Sequence, residues 1–154
     1  MKILARLFKR ILSFRYKVEI KGLEHLDEKR SHLIMPAHIA LVDPILVFAF
    51  LREKIRLHPV MTKKYYSNVF LKPFFKILDA VPVEEFEKDQ GSGEDAKVMM
   101  EKVSEALQQG KNMLLYPQGE LARQGYQSII GKKTAFYACQ HAPKETKLIT
   151  VNIR

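Results

Sequence analysis

A chain of 154 residues, 47% of them apolar, is long enough for one domain with a buried core, which excludes wholesale disorder. Lysine and arginine outnumber aspartate and glutamate 26 to 17, a formal charge of +9 that favours an anionic partner: nucleic acid, anionic lipid or an acidic carrier of substrate. Cys139 is the only cysteine, so an internal disulfide and a cysteine-based zinc site are excluded, and a reducing, cytoplasmic setting fits.

The chain opens with MKILARLFKRILSF, which is no signal peptide because Arg6, Lys9 and Arg10 interrupt the apolar run. Ile3, Leu4, Leu7, Phe8, Ile11 and Leu12 recur at three- and four-residue spacing with basic residues between them. That pattern predicts a basic amphipathic helix over residues 1–15, suited to a membrane interface or to the domain's own core. Seven of the first 21 residues are basic and only Glu19 is acidic, a bias that favours anionic headgroups.

Residues 16–154 read as a single α/β domain. Tyr16, Val18 and Ile20 alternate with charged residues and predict a half-exposed strand. The nineteen residues Leu33–Leu51 are apolar enough to suggest a membrane span, but Pro36 and the Asp43-Pro44 pair divide them into strand, loop and helix, too short in each piece to cross a bilayer. Asp43 is expected as the N-cap of that helix and Pro44 as its first turn. RLHPVMT predicts a strand, YYSNVFLKPFFKIL a helical stretch interrupted at Pro73, and AVPV a short strand. EEFEKDQGSGED reads as an exposed acidic loop with a capping box at Ser92 and Asp95. A helix follows with a core stripe of Met99, Val103, Ala106 and Leu107, ending at Gly110. NMLLYP predicts a buried strand, QGELARQGYQSIIG a loop, KKTAFYACQHA a helix with Cys139 buried, and KLITVNI a final strand. The alternation implies a mixed, largely parallel sheet covered by helices. Ending directly after a strand, the chain reads as a fragment of a longer catalytic unit.

His38 follows a buried strand and precedes Asp43 by five residues, in the kind of loop where open α/β sheets form ligand sites. An imidazole there is near its switching pH and suits a general base, with a carboxylate within reach to fix its tautomer. The bland alternative is a capping aspartate beside a packed histidine. About 75 residues later a buried strand runs into Tyr116-Pro117-Gln118-Gly119-Glu120, where Gly119 allows close backbone approach and nearby amides suit an oxyanion. The remaining histidines, His25, His32, His58 and His141, show no convincing partner in the sequence.

In this order and spacing the segments resemble the glycerolipid acyltransferases of the lysophosphatidic acid acyltransferase type. HIALVD matches the His-x4-Asp motif, MTKKYY a lysine-bearing aromatic segment, VPVEEF a short strand that usually ends in a base, YPQGEL the Phe-Pro-Glu-Gly-Thr-Arg turn, and LITVNIR the final apolar strand. The resemblance runs from about Val18 to Arg154. It implies acyl transfer from a thioester, on coenzyme A or acyl carrier protein, to a lysolipid hydroxyl, with no metal or redox cofactor. His38 and Asp43 would be catalytic. Lys63, Glu84, Tyr116, Pro117, Gln118, Gly119, Glu120 and Arg123 would meet substrate, Tyr116 and Pro117 through a mainly structural role. A cytoplasmic enzyme peripherally bound to an anionic membrane is implied.

Departures from the family pattern bear on the acceptor. Glu84 and Glu85 stand where the family has an arginine for the acceptor's phosphate. In the turn Gln118 replaces Glu and Glu120 replaces Thr, while Arg123 lies two positions late. Carboxylates there would repel a phosphate monoester and attract an amine-bearing headgroup. The competing classes are a catalytically inactive lipid-binding module, a basic nucleic-acid-binding domain, and a thioester or ester hydrolase.

Overall fold

The computed structural model describes residues 2–27, 29–37, 42–67, 69, 72–83, 93–117 and 132–153. Helix α1 (Lys2–Arg15) leads through a single 3₁₀ turn to strand β1 (His32–Pro36) and helix α2 (Asp43–Leu51). Strand β2 (Leu57–Thr62) runs straight into the short helix α3 (Lys63–Tyr66), and α4 (Lys72–Ile77) leads to β3 (Val81–Val83). Helix α5 (Gly93–Gln108), strand β4 (Asn112–Leu114), helix α6 (Lys132–His141) and strand β5 (Lys147–Val151) complete the chain.

The five strands form one sheet in the order β3-β2-β4-β1-β5. Every pairing is parallel, so the sheet is more uniform than the mixed one expected. Parallel strands need covering on both faces, and the alternation of side chains shows how this is done. Leu33, Met113 and Leu115 point to one face and pack with Met99, Met100, Val103 and Leu107 of α5 and Ala138 of α6. Their neighbours Ile34 and Leu114 point to the other, where Val47 and Leu51 of α2 join Ile55 and Leu57. The stripe anticipated on α5 is therefore core: Val103 is fully buried, and Met99, Ala106 and Leu107 are nearly so. Gly110 adopts φ +76 just past that helix, the left-handed conformation that favours glycine at a helix end.

Four local expectations need correction. Residues 16–22 are not a strand: Tyr16 and Val18 are exposed, and alternation alone supplies no partner edge for a ladder. Pro73 opens α4 rather than interrupting a helix, because its missing N–H is harmless in a first turn. The N-cap of α2 is Val42, whose carbonyl accepts from the Ile45 and Leu46 amides at 3.0 and 2.9 Å; Asp43 is the first helical residue. His32 and His58 do have partners, described below. The loop at 84–92 with its capping-box serine, the loop at 118–131 and the Cys139 side chain lie outside the described residues.

Helix α1 divides its apolar residues between two sides. Ala5 is fully buried against Phe48 and Leu78, with Phe8 and Leu12 half-buried, while Ile3, Leu7, Ile11 and Phe14 are exposed, Phe14 almost completely. Glu53 holds α1 down through Lys9 Nζ at 2.7 Å and Arg6 Nε at 3.9 Å. Among the described residues no helix is long and apolar enough to cross a membrane.

Candidate active site

The chain leaves neighbouring strands β1 and β4 in opposite directions. From the carboxyl end of β1 it passes to α2, which covers one face. From the carboxyl end of β4 it passes toward α6, which covers the other. Connections that part in this way leave a crevice at the strand ends, the topological switch point at which open α/β sheets bind ligands. Backbone bonds carry the ladders to its rim: the Leu115 amide donates to Ile34 O at 2.9 Å and the Ala37 amide to Val151 O at 3.0 Å.

Asp43 opens α2, the helix that follows β1. It is only 2% exposed although it is a charged residue on the first turn of a helix. The partial positive charge of the helix N-terminus offsets part of the cost of burying a carboxylate. Tyr116 arrives from β4 and packs on the α2 side of the sheet. Its phenol is held well above the ordinary tyrosine range, first by burial and then by the negative charge of Asp43. Tyr116 therefore stays protonated, and the two groups belong to one electrostatic neighbourhood. Pro117, also buried, starts the turn.

Lys63 is exposed and opens α3 immediately after β2, at the same edge of the sheet. Thr62, just before it, was not singled out by sequence reasoning. Its hydroxyl is buried and, among the described residues, has no hydrogen-bond partner, so it offers a polar contact at the strand end. The only available signal was its place between a strand and a lysine. His38, Glu84, Gln118, Gly119, Glu120 and Arg123 lie outside the described residues. Asp43, Lys63, Tyr116 and Pro117 all follow strand carboxyl ends, and Asp43 and Tyr116 come together.

The amino ends of the strands carry a different chemistry. The Asp27 amide donates to His32 Nε2 at 3.1 Å, so Nδ1 bears the proton and donates to Asn112 Oδ1 at 2.8 Å. Asn112 in turn donates to Arg56 O at 3.1 Å and accepts the His32 amide at 3.1 Å. His58 Nδ1 lies 3.3 Å from Asp79 O and 3.2 Å from Asp79 Oδ2, and Lys111 meets the same carboxylate oxygen at 3.3 Å. Burial lowers the His58 pKa and outweighs the opposing pull of Asp79. Both ring nitrogens of His32 are thus occupied by the protein itself, and His58 is held neutral.

A parallel sheet covered on both faces, with a buried carboxylate where the covering helices diverge, is an α/β architecture of the kind that binds ligands in the loops after its strands. The acyltransferase family model matches residues 17–154, and the chain belongs to that family. The fold is similar to that of the crystal structure of the 1-acyl-sn-glycerophosphate (LPA) acyltransferase PlsC from Thermotoga maritima, with a TM-score of 0.66 and 15% sequence identity. That likeness covers 99% of this chain and 66% of the bacterial enzyme, so the chain spans just under two thirds of its length. No curated protein sequence matches the chain.

Proposed function

We propose that the chain is the catalytic core of a glycerolipid O-acyltransferase that moves a fatty acyl group from an acyl thioester, on coenzyme A or acyl carrier protein, to a lysolipid hydroxyl. The observation that carries this reading is Asp43, buried at the switch point beside Tyr116 and five residues after His38 in the β1–α2 connection. His38 takes the proton of the acceptor hydroxyl, whose oxygen attacks the thioester carbonyl. Asp43 orients the imidazole and stabilises its charged form, while amides of the turn after Pro117 hold the oxyanion. Collapse breaks the C–S bond, and the imidazolium returns its proton to the departing thiolate. No redox cofactor enters these steps.

Lys63, Gln118, Gly119 and Arg123 are proposed to meet substrate, and Glu84 and Glu120 to select it. Their carboxylates favour an acceptor whose headgroup carries an amine over a phosphate monoester. The outward stripe Ile3, Leu7, Ile11 and Phe14, flanked by Arg6 and Arg10, supports peripheral attachment to an anionic bilayer. A labelled acyl donor presented with a panel of lysolipids tests the whole reading. The expected result is transfer to an amine-bearing lysolipid that falls about a hundred- to ten-thousand-fold in His38→Ala. Preference for lysophosphatidic acid over every amine-bearing acceptor would sink the specificity argument alone. Transfer undiminished in His38→Ala would sink the mechanism, and release of free fatty acid without lysolipid would identify a hydrolase.

A further inference from the structure

The charges of this chain are segregated along the sequence. Residues 1–18 contain six bases and no acid, and residues 54–78 contain six more and again no acid. Eight of the 17 acids fall between Glu84 and Glu105, a span that includes most of α5. The two basic segments meet in space: Ala5 of α1 packs with Phe48 of α2 and with Leu78, just after α4, and Phe75 of α4 closes the same cluster. Helix α5 covers the opposite face of the sheet.

Ser67, Val69, Lys72, Pro73 and Lys76 line an open hollow of about 450 Å³, and none of the residues around Asp43 contributes to it. Tyr66 of α3 and Phe75 of α4 stack with ring centroids 6.5 Å apart and an interplanar angle of 16°, which ties the two helices together. Lys72 and Lys76 lie four apart on α4, one turn of the helix, and both line the hollow. Both are exposed, and among the described residues neither is paired with an acid. Val69 stands 80% exposed beside them. Two exposed ammonium groups lining a hollow with an exposed aliphatic side chain match a phosphate-bearing headgroup with its acyl chains beyond it.

We infer that the α3–α4 corner is a second lipid contact, in which Lys72 and Lys76 seat the phosphate of an anionic bilayer lipid. With the outward stripe of α1 it gives the domain two points of attachment to the bilayer. The inference rests on the membrane attachment proposed above and adds where, besides α1, the contact is made.

Vesicle sedimentation tests it, with vesicles of phosphatidylcholine alone and of phosphatidylcholine mixed with phosphatidylglycerol. The full chain should pellet with the anionic vesicles. Lys72→Gln with Lys76→Gln should weaken that partition about 30-fold, the product of two basic contacts. Lys72→Arg with Lys76→Arg should retain it, and a control pair on the far side, Lys102→Gln with Lys144→Gln, should change it less than twofold. If the glutamine pair at 72 and 76 behaves like the control pair while the parent still pellets, this inference fails and attachment through α1 stands. Equal binding to both vesicle types also overturns it. A parent chain that pellets with neither but retards duplex DNA would remove the membrane reading and this inference together.

Discussion

The two ends of the sheet bury polar side chains in different settings. At the amino ends His32 and His58 are buried among partners fixed by the strands: Asn112 and the Asp27 amide for one, Asp79 for the other. Their hydrogen bonds are spent inside the protein, and they connect neighbouring strands. At the carboxyl ends a carboxylate and a phenol, Asp43 and Tyr116, are buried where the backbone leaves the sheet and the covering helices diverge. A buried histidine with a carboxylate nearby is therefore no sign of catalysis by itself. Position relative to strand direction distinguishes the His32 and His58 pairs from the proposed site.

Substitutions can break this distinction. The largest expected effect is on turnover: Asp43→Asn keeps the size of the side chain but removes the charge that supports an imidazolium. Acyl transfer should fall about a hundred- to ten-thousand-fold while the circular dichroism spectrum stays that of the parent. Loss of folding without a separate loss of activity per folded molecule would return Asp43 to the structural class.

At the other end the ranking inverts. His32→Ala strands Asn112 and the Asp27 amide and leaves a cavity beneath β1, so urea unfolding should show a loss of about 2–4 kcal/mol. Acyl transfer per folded molecule should be unchanged. An activity loss larger than the stability loss would show that the two ends are not independent.

The smallest effect sharpens the comparison through pH. Burial depresses the folded-state pKa of His58 below its ordinary 6.5. Between the two values the unfolded chain binds the proton and the folded one does not. The contribution is complete above pH 6.5 and is lost as pH falls through the depressed folded-state value. Thermal unfolding of the parent should shift downward more steeply than that of His58→Gln across this window. Parallel curves for the two proteins would mean that Asp79, 45% exposed, stabilises the charged ring more than burial opposes it.

Much of the architecture was legible in the sequence because its signals are local. Pro36 and Asp43-Pro44 divide an apolar run of nineteen residues, and the structure places β1 and α2 on either side of that division. The stripe on α5 and the glycine after it mark one helix from its core face to its end. The false strand at Tyr16–Ile20 shows the limit of such signals, since an alternating pattern becomes a strand only if an edge is there to pair with. Of the proposed site, the sequence offers a histidine and a carboxylate after a strand, and of these the structure describes only the carboxylate, Asp43. The site's assembly was not legible, because Asp43 and Tyr116 are 73 positions apart and only the strand order places β1 beside β4.

By itself the sequence determined the number and type of most elements, the resemblance that led to the acyltransferase family, and the basic character of α1, all of them consequences of neighbours a few residues apart. Tertiary structure alone decided which histidines are spent in the framework, which side of α1 faces outward, and where the chain opens a crevice. Each of these depends on groups distant in sequence arriving at the same place, where burial sets the cost of leaving a polar atom unpaired.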